Sequence, residues 1–183
     1  MGRLYWIAAA LLASIAVHAG FILMVPAYSL DRSIARLSAE AGTNQFFILP
    51  QEAQVRLFPA LPRASVTGVC AFDVSGSDVA LTAAMPDGFW TLTIYSNRGD
   101  AIYSVNNVQS GTGTFTVGLS LAPDLVEMLQ QATGKETLAE DTGWTVKSPE
   151  PRGLAVLSYP LSDGAQRETV LQRLSASRCQ AIG

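Results

Sequence analysis

A chain of 183 residues, 49% hydrophobic and only 15% charged, is long enough for one globular domain plus an extra element and too apolar to be disordered. Its net charge of -3 and pI near 5.1 provide no basic stripe for phosphates, which argues against nucleic acid as a partner. Two cysteines, Cys70 and Cys179, are too few for a zinc site and are not spaced as a C-x-x-C redox pair.

Leu4 to Val25 runs for 22 residues without a charged side chain, and as a helix it covers roughly 33 Å, the thickness of a bilayer core. Tyr5 and Trp6 stand at one end and Tyr28 just past the other, where amphipathic rings favour the membrane interface. Pro26 marks the exit. Residues 1–28 are therefore expected to form a short cytoplasmic tail and a single transmembrane anchor, with Leu4 to Val25 in inner-membrane lipid. The competing reading is a signal peptide with Arg3 as its basic region, Leu4 to Val17 as its apolar region and cleavage after Ala19. The apolar run from Gly20 to Val25 argues against it, because a mature soluble protein would have to bury or expose that run. Arg3 before the span nearly balances Arg32 and Arg36 after it, so the positive-inside rule leaves orientation open. A short N-terminal tail favours the N-terminus inside and the bulk of the chain in the periplasm. His18, the single histidine, falls within the span, where an ionisable group invites a relay hypothesis. With Ser14 the only other polar residue there, a structural placement is preferred.

Ser29 to Ala41 follows as a short helix, with Leu30, Ile34 and Leu37 on one face and Gly42 as its stop. Residues 29–43 are read as a stalk helix continuing the anchor and packing its stripe on the domain, with a surface-lying or partner-binding segment as the other reading, and residues 44–183 as the domain itself. Asn44 to Pro62 reads as a short strand at Phe46 to Leu49 and an irregular crossing marked by Pro50, Pro59 and Pro62.

From Val66 the pattern is mostly β. Val69 to Val74 and Val79 to Ala84 are strands separated by the turn Ser75-Gly-Ser-Asp78. Trp90, Leu92 and Ile94 alternate with Thr91, Thr93 and Tyr95, the period of two that sends one set to each face of a sheet. Asn97-Arg-Gly-Asp100 is a turn by composition, and Ile102, Tyr103 and Val105 resume a strand. This hairpin, marked by Trp90, Gly99, Asp100 and Tyr103, is expected to be the structural spine of the sheet. A strand over Thr114 to Leu119, a helix from Ala122 to Gly134, short strands at Trp144 to Val146 and Gly153 to Tyr159, and a last helix carrying Val170, Leu171 and Leu174 complete the order. The chain is thus α+β: an N-terminal transmembrane helix, then a mostly antiparallel, sandwich-like β-rich domain with two or three helices.

No catalytic, cofactor-binding or metal-binding residue is singled out. Outside the span there is no histidine, which removes Ser-His and Cys-His chemistry and imidazole ligation. Asp73, Asp78, Asp87 and Asp100 all fall in or beside turns, where a carboxylate capping a backbone N–H is the ordinary explanation. Gly111-Thr-Gly113 lies between strands and lacks the helix of a phosphate cradle. Trp90, Trp144, Tyr95, Tyr103 and Tyr159 suit a core or a ligand groove, and core is preferred for Trp90. Cys70 in an early strand and Cys179 beside the last helix suit a disulfide pinning that helix to the sheet, if the domain lies outside the cytoplasm. Two separate buried thiols are the alternative. Closing so long a loop would contribute about 4–5 kcal/mol in the chain-entropy model.

Val69-Cys-Ala-Phe-Asp-Val74, Phe89-Trp-Thr-Leu-Thr-Ile-Tyr95, Arg98-Gly-Asp100 and Ile102-Tyr-Ser-Val-Asn106, following an N-terminal span and with a late Cys179, resemble a bacterial envelope family known as domain of unknown function 1254. The resemblance implies a β-rich domain held at the inner membrane of a Gram-negative, alphaproteobacterial cell, and brings no activity or catalytic residues with it. Larger relatives join a second domain for which this chain is too short. The expectation is a single-pass envelope protein whose periplasmic domain binds another envelope component, such as a partner protein, or acts structurally. The alternative is a small-molecule-binding or carboxylate-based hydrolytic domain with an aromatic-lined pocket between sheet and helices.

Overall fold

A computed structural model describes residues 2–85, 87–110, 114–123 and 144–182. Helix α1 runs without interruption from Gly2 to Ala41, so the expected anchor and stalk are one element and the backbone stays helical through Pro26. Its Gly2–Ile22 stretch is long and apolar enough to cross a membrane, a test that a signal sequence also passes, and none of that apolar window is buried. Gly42 ends the helix at φ +91°, a conformation that side chains disfavour. Asn44 follows at φ +58°. Its amide exchanges two hydrogen bonds with the backbone of Asp73, donating to the carbonyl oxygen at 3.1 Å and accepting from the N–H at 2.8 Å. The chain leaving α1 is thereby fastened to the sheet before the first strand begins.

The strands are β1 (Phe46–Ile48), β2 (Ser65–Asp73), β3 (Val79–Ala84), β4 (Thr91–Ser96), β5 (Ala101–Asn106), β6 (Thr114–Leu121), β7 (Trp144–Ser148), β8 (Arg152–Pro160) and β9 (Arg178–Ala181). Helix α2 (Gln51–Leu57), the single turn α3 (Asn107–Ser110) and α4 (Arg167–Leu174) lie between them. They form two sheets, β1-β2-β8-β4-β5 and β7-β6-β3-β9. Every pairing is antiparallel except β6 with β7. The fold is α+β with a β-rich domain behind an N-terminal apolar helix. The helix expected over Ala122 to Gly134 falls almost wholly outside the described residues.

Two apolar layers explain the order. Val66, Cys70 and Phe72 of β2, Leu92 and Ile94 of β4 and Ala155, Leu157 and Tyr159 of β8 face the second sheet, where Leu81, Val117 and Leu119 meet them. Trp90, 1% exposed, fills the same layer. The alternate residues, Val69, Ala71, Leu154 and Val156, pack against Ile34 and Leu37 of α1. Strands β2 and β8 are thus covered on both faces, which is why their sequences are near-continuous apolar runs without alternation.

Several expectations change. The β4–β5 hairpin is not the spine: β8 is the middle strand of the five and β5 is an edge. The crossing from Asn44 to Pro62 contains α2, whose Glu52 in the first turn and Arg56 in the last complement the helix dipole. The segment after Leu174 leads into a strand that the sequence reading did not foresee, β9, which pairs with β3.

Candidate functional site

The β4–β5 turn is a three-residue loop closing on a bulge. The Gly99 N–H donates to the Ser96 carbonyl at 3.1 Å, the Ser96 N–H donates to the Asp100 carbonyl at 2.9 Å, and Gly99 takes φ +95°, the left-handed position that this turn requires of a glycine. Arg98-Gly99-Asp100 is accounted for by that geometry. Asp100 is exposed. Arg98 pairs with Glu150 at 2.8 Å, joining the turn to the β7–β8 connection. At the other end of the hairpin, the Asn106 side chain accepts from the N–H groups of Val108 and Gln109 while Gln109 Oε1 accepts from the Asn106 N–H. This reciprocal cap starts α3.

Tyr103 on β5 belongs to a run of rings. Trp90 lies 6.1 Å from Phe115, Phe115 6.1 Å from Trp144, and Trp144 6.2 Å from Tyr103, between centroids. Burial pushes the Tyr103 phenol above its ordinary pKa. The run starts in the core at Trp90, reaches the surface at the half-exposed Trp144 and ends on Tyr103.

Cys70 on β2 and Cys179 on β9 have their sulfur atoms at the bonding distance of a disulfide, 1.97 Å, with Cα atoms 6.3 Å apart. They connect one sheet to the other, not a helix to a sheet. The turn carboxylates do local work where the structure gives them a partner: Asp73 Oδ1 accepts from the Ser75 N–H at 2.9 Å. The hydrogen bonds from Ser75 lower its pKa against a smaller opposing effect of burial, and the Arg152 charge adds a little more. Among the described residues no group of three or more His, Cys, Asp or Glu is placed to hold a metal ion.

The feature with the character of a binding site lies on the outer face of the five-stranded sheet. The side chains of Thr91, Thr93 and Tyr95 on β4 and of Val156 and Ser158 on β8 form its floor, Leu30 of α1 closes one side, and Leu57 with the Phe58 to Leu61 turn closes another. The turn is held by the Leu61 N–H donating to the Phe58 carbonyl at 3.0 Å. The cleft measures about 320 Å³, and its lining contains no charged side chain. Its size and apolar character with a few hydroxyls are those of a small-ligand site. Period-two alternation puts Thr91, Thr93 and Tyr95 on the face opposite Trp90, Leu92 and Ile94, and it is the packing of α1 and α2 across that face that makes them a floor. Among the described residues no carboxylate lines this cleft, and of the five aromatic residues considered for a groove only Tyr95 is in it.

Beneath α2 the cleft borders a buried polar row. Gln54, 1% exposed, donates through Nε2 to the Pro62 carbonyl at 3.2 Å and to Ser65 Oγ at 2.5 Å, and Ser65 Oγ donates to the same carbonyl at 2.7 Å. Gln54 Oε1 and Thr67 Oγ1 are buried without a hydrogen-bond partner. Thr67 is in register with Ser158, and Ser158 with Thr91. A hydroxyl row therefore crosses three strands from under α2 to the cleft floor. Sequence reading did not single out Gln54, and a glutamine in the polar run Gln51-Glu-Ala-Gln54 carries no signal of burial.

No family model matches the chain, and no curated protein matches it. Among solved structures it is similar to a protein of Vibrio parahaemolyticus, with a TM-score of 0.58 and 11% identity over 86% of this chain and 36% of that one. It is also similar to an uncharacterized protein of Burkholderia cenocepacia, with a TM-score of 0.50 and 8% identity over 81% of this chain and 38% of that one. The chain thus spans little more than a third of either protein, and at these identities the likeness is one of fold.

Proposed function

We propose that this is a single-pass envelope protein of the domain of unknown function 1254 type, whose periplasmic β-rich domain is a binding module held at the inner membrane by α1. The observation that carries the reading is that one continuous helix does two jobs. Its first part is apolar and packs on nothing, while Leu30, further along, is a wall of the cleft. Anchor and binding surface are thereby in fixed relation. A disulfide between Cys70 and Cys179 supports an oxidising compartment, since such bridges persist outside the reducing cytoplasm.

The test is differential alkylation of the full-length chain in acid-quenched cells, together with protease treatment of spheroplasts. Thiols that react only after denaturation and reduction, on an uncleaved chain whose domain is digested from outside, are the expected result. Thiols already free in the quenched cells, or a domain protected until lysis, would overturn the topology. Cleavage after Ala19 in the mature chain would overturn the anchor.

A further inference from the structure

We infer that the cleft between α1, α2 and β4 holds one apolar chain of an amphiphile drawn from the bilayer, with the polar end of that lipid at the Thr91–Ser158 row; this deepens the anchored-module reading and rests on it. Three features of the site support this occupant. Leu30 stands five residues beyond Val25 on the same helix, a rise of about 7.5 Å, so an anchored α1 would place the mouth of the cleft at the headgroup level. The walls are Leu30, Leu57, Phe58, Leu61 and Val156 with the ring of Tyr95, and no charge interrupts them. An acidic or basic peptide, or a free phosphate, would find no ionic partner there. From Tyr95 to Thr91 the floor extends about 13 Å along β4, the dimension of an extended chain segment.

Hydroxyls occur along the whole floor, at Tyr95, Thr93, Thr91 and Ser158, and two of them fall together at the Thr91 end. The end beside Leu30 and Gly99 has the Tyr95 ring. The far end has the hydroxyls of Thr91 and Ser158, and next in register Thr67. Thr67 Oγ1 and the neighbouring Gln54 Oε1 are both buried and unpartnered. Buried polar atoms ordinarily find partners, and an ester or hydroxyl group bound at this end would bring polar atoms to the row. With the mouth beside Leu30, a lipid rising from the leaflet would enter head-first and leave its chain at the end nearest the membrane, the orientation it already has in the leaflet.

The experiment reconstitutes the full-length protein in vesicles of phosphatidylethanolamine and phosphatidylglycerol. They are doped with a phospholipid bearing a diazirine at the end of one acyl chain, and adducts are mapped by mass spectrometry after irradiation. Adducts on Phe58 to Leu61 or Thr91 to Tyr95, in addition to those in Leu4 to Val25, are expected. Filling the cleft with Thr93→Trp, or separately with Thr91→Phe, should cut the cleft adducts about tenfold, the effect of losing ~1.4 kcal/mol of binding, and leave the span adducts unchanged. Adducts confined to the span would overturn the lipid site and leave the anchor standing. Cleft adducts that persist at full yield in both filled variants would overturn it as well. A protein without adducts in either place would overturn the anchor together with the site.

Discussion

Cys70 and Cys179, 109 residues apart in sequence, meet with Cα atoms 6.3 Å apart across the two sheets. Cys70 lies in the strand between β1 and β8, and Cys179 in the edge strand beside β3. A cross-link there constrains the unfolded chain over more than half its length. It also secures β9, which has only four residues and a single strand neighbour.

Reduction is therefore expected to lower stability by up to about 4–5 kcal/mol, the chain-entropy value for a loop of this size. Cys179→Ser should match the reduced protein. Urea unfolding of the oxidised, reduced and C179S forms measures this. A midpoint unchanged by reductant would show that the bridge contributes nothing to the fold.

Trp90 and Trp144 make a second comparison. Trp90 is 1% exposed and Trp144 49% exposed, though they share Phe115 as a neighbour. Trp90→Ala removes a large core side chain and is expected to cost about 3–5 kcal/mol. Trp144→Ala loses ring contacts at the surface and is expected to cost about 1 kcal/mol. Equal losses in chemical denaturation would contradict this division.

These residues also show what could be read from the chain. Period-two alternation located Trp90, Leu92 and Ile94 on the core side, and the turn residues located the turn at Asn97 to Asp100, because both signals are local. The elements that were missed depend on partners distant in sequence. Arg178–Ala181 has one buried residue, Cys179, and becomes a strand by pairing with β3. Gln51–Leu57 is seven residues bounded by prolines and is helical because its buried side packs on the sheet. The same holds for the cleft. Thr91, Thr93 and Tyr95 look solvent-facing until Leu30 and Phe58, from two separate elements, are brought over them. Pro26 marks the exit of the span without ending the helix: it removes one backbone donor and α1 continues past it.

Asp73 gives the domain a small acid sensitivity. Its carboxylate is held below the ordinary aspartate pKa chiefly by hydrogen bonding from Ser75. A depressed acid contributes stability that is fully present above its unfolded pKa, about 4, and is lost as pH falls through its lower folded value. The site is largely solvated, so screening keeps the contribution below about 1 kcal/mol. Stability measured from neutral pH down to about pH 2 should fall slightly less steeply in Asp73→Asn than in the wild type. The Asp73 carboxyl resonance should titrate below the ordinary aspartate range. A steeper acid loss in the variant would reverse the sign argued here.

Two glycines separate a side-chain obstacle from a backbone one. A methyl group at Gly68 on β2 would run into the Phe46 ring of β1, whereas at Gly153 on β8 it would meet both the Phe72 ring and the carbonyl oxygen of Tyr95. Phe46 is only partly buried at the sheet edge and can turn away. The Tyr95 carbonyl belongs to the adjacent strand β4 and cannot move without disturbing the ladder between β4 and β8. Gly153→Ala is accordingly expected to cost about 3 kcal/mol or more, the upper end of overpacking penalties. Gly68→Ala should cost about 1–2 kcal/mol, and adding Phe46→Leu should recover part of that loss, since the two changes share one contact. Phe72→Leu added to Gly153→Ala should recover little, because the carbonyl remains. Thermal or urea unfolding of the four variants gives the answer. Equal rescue at both glycines would mean that the rings alone set the spacing and that the strand backbones yield.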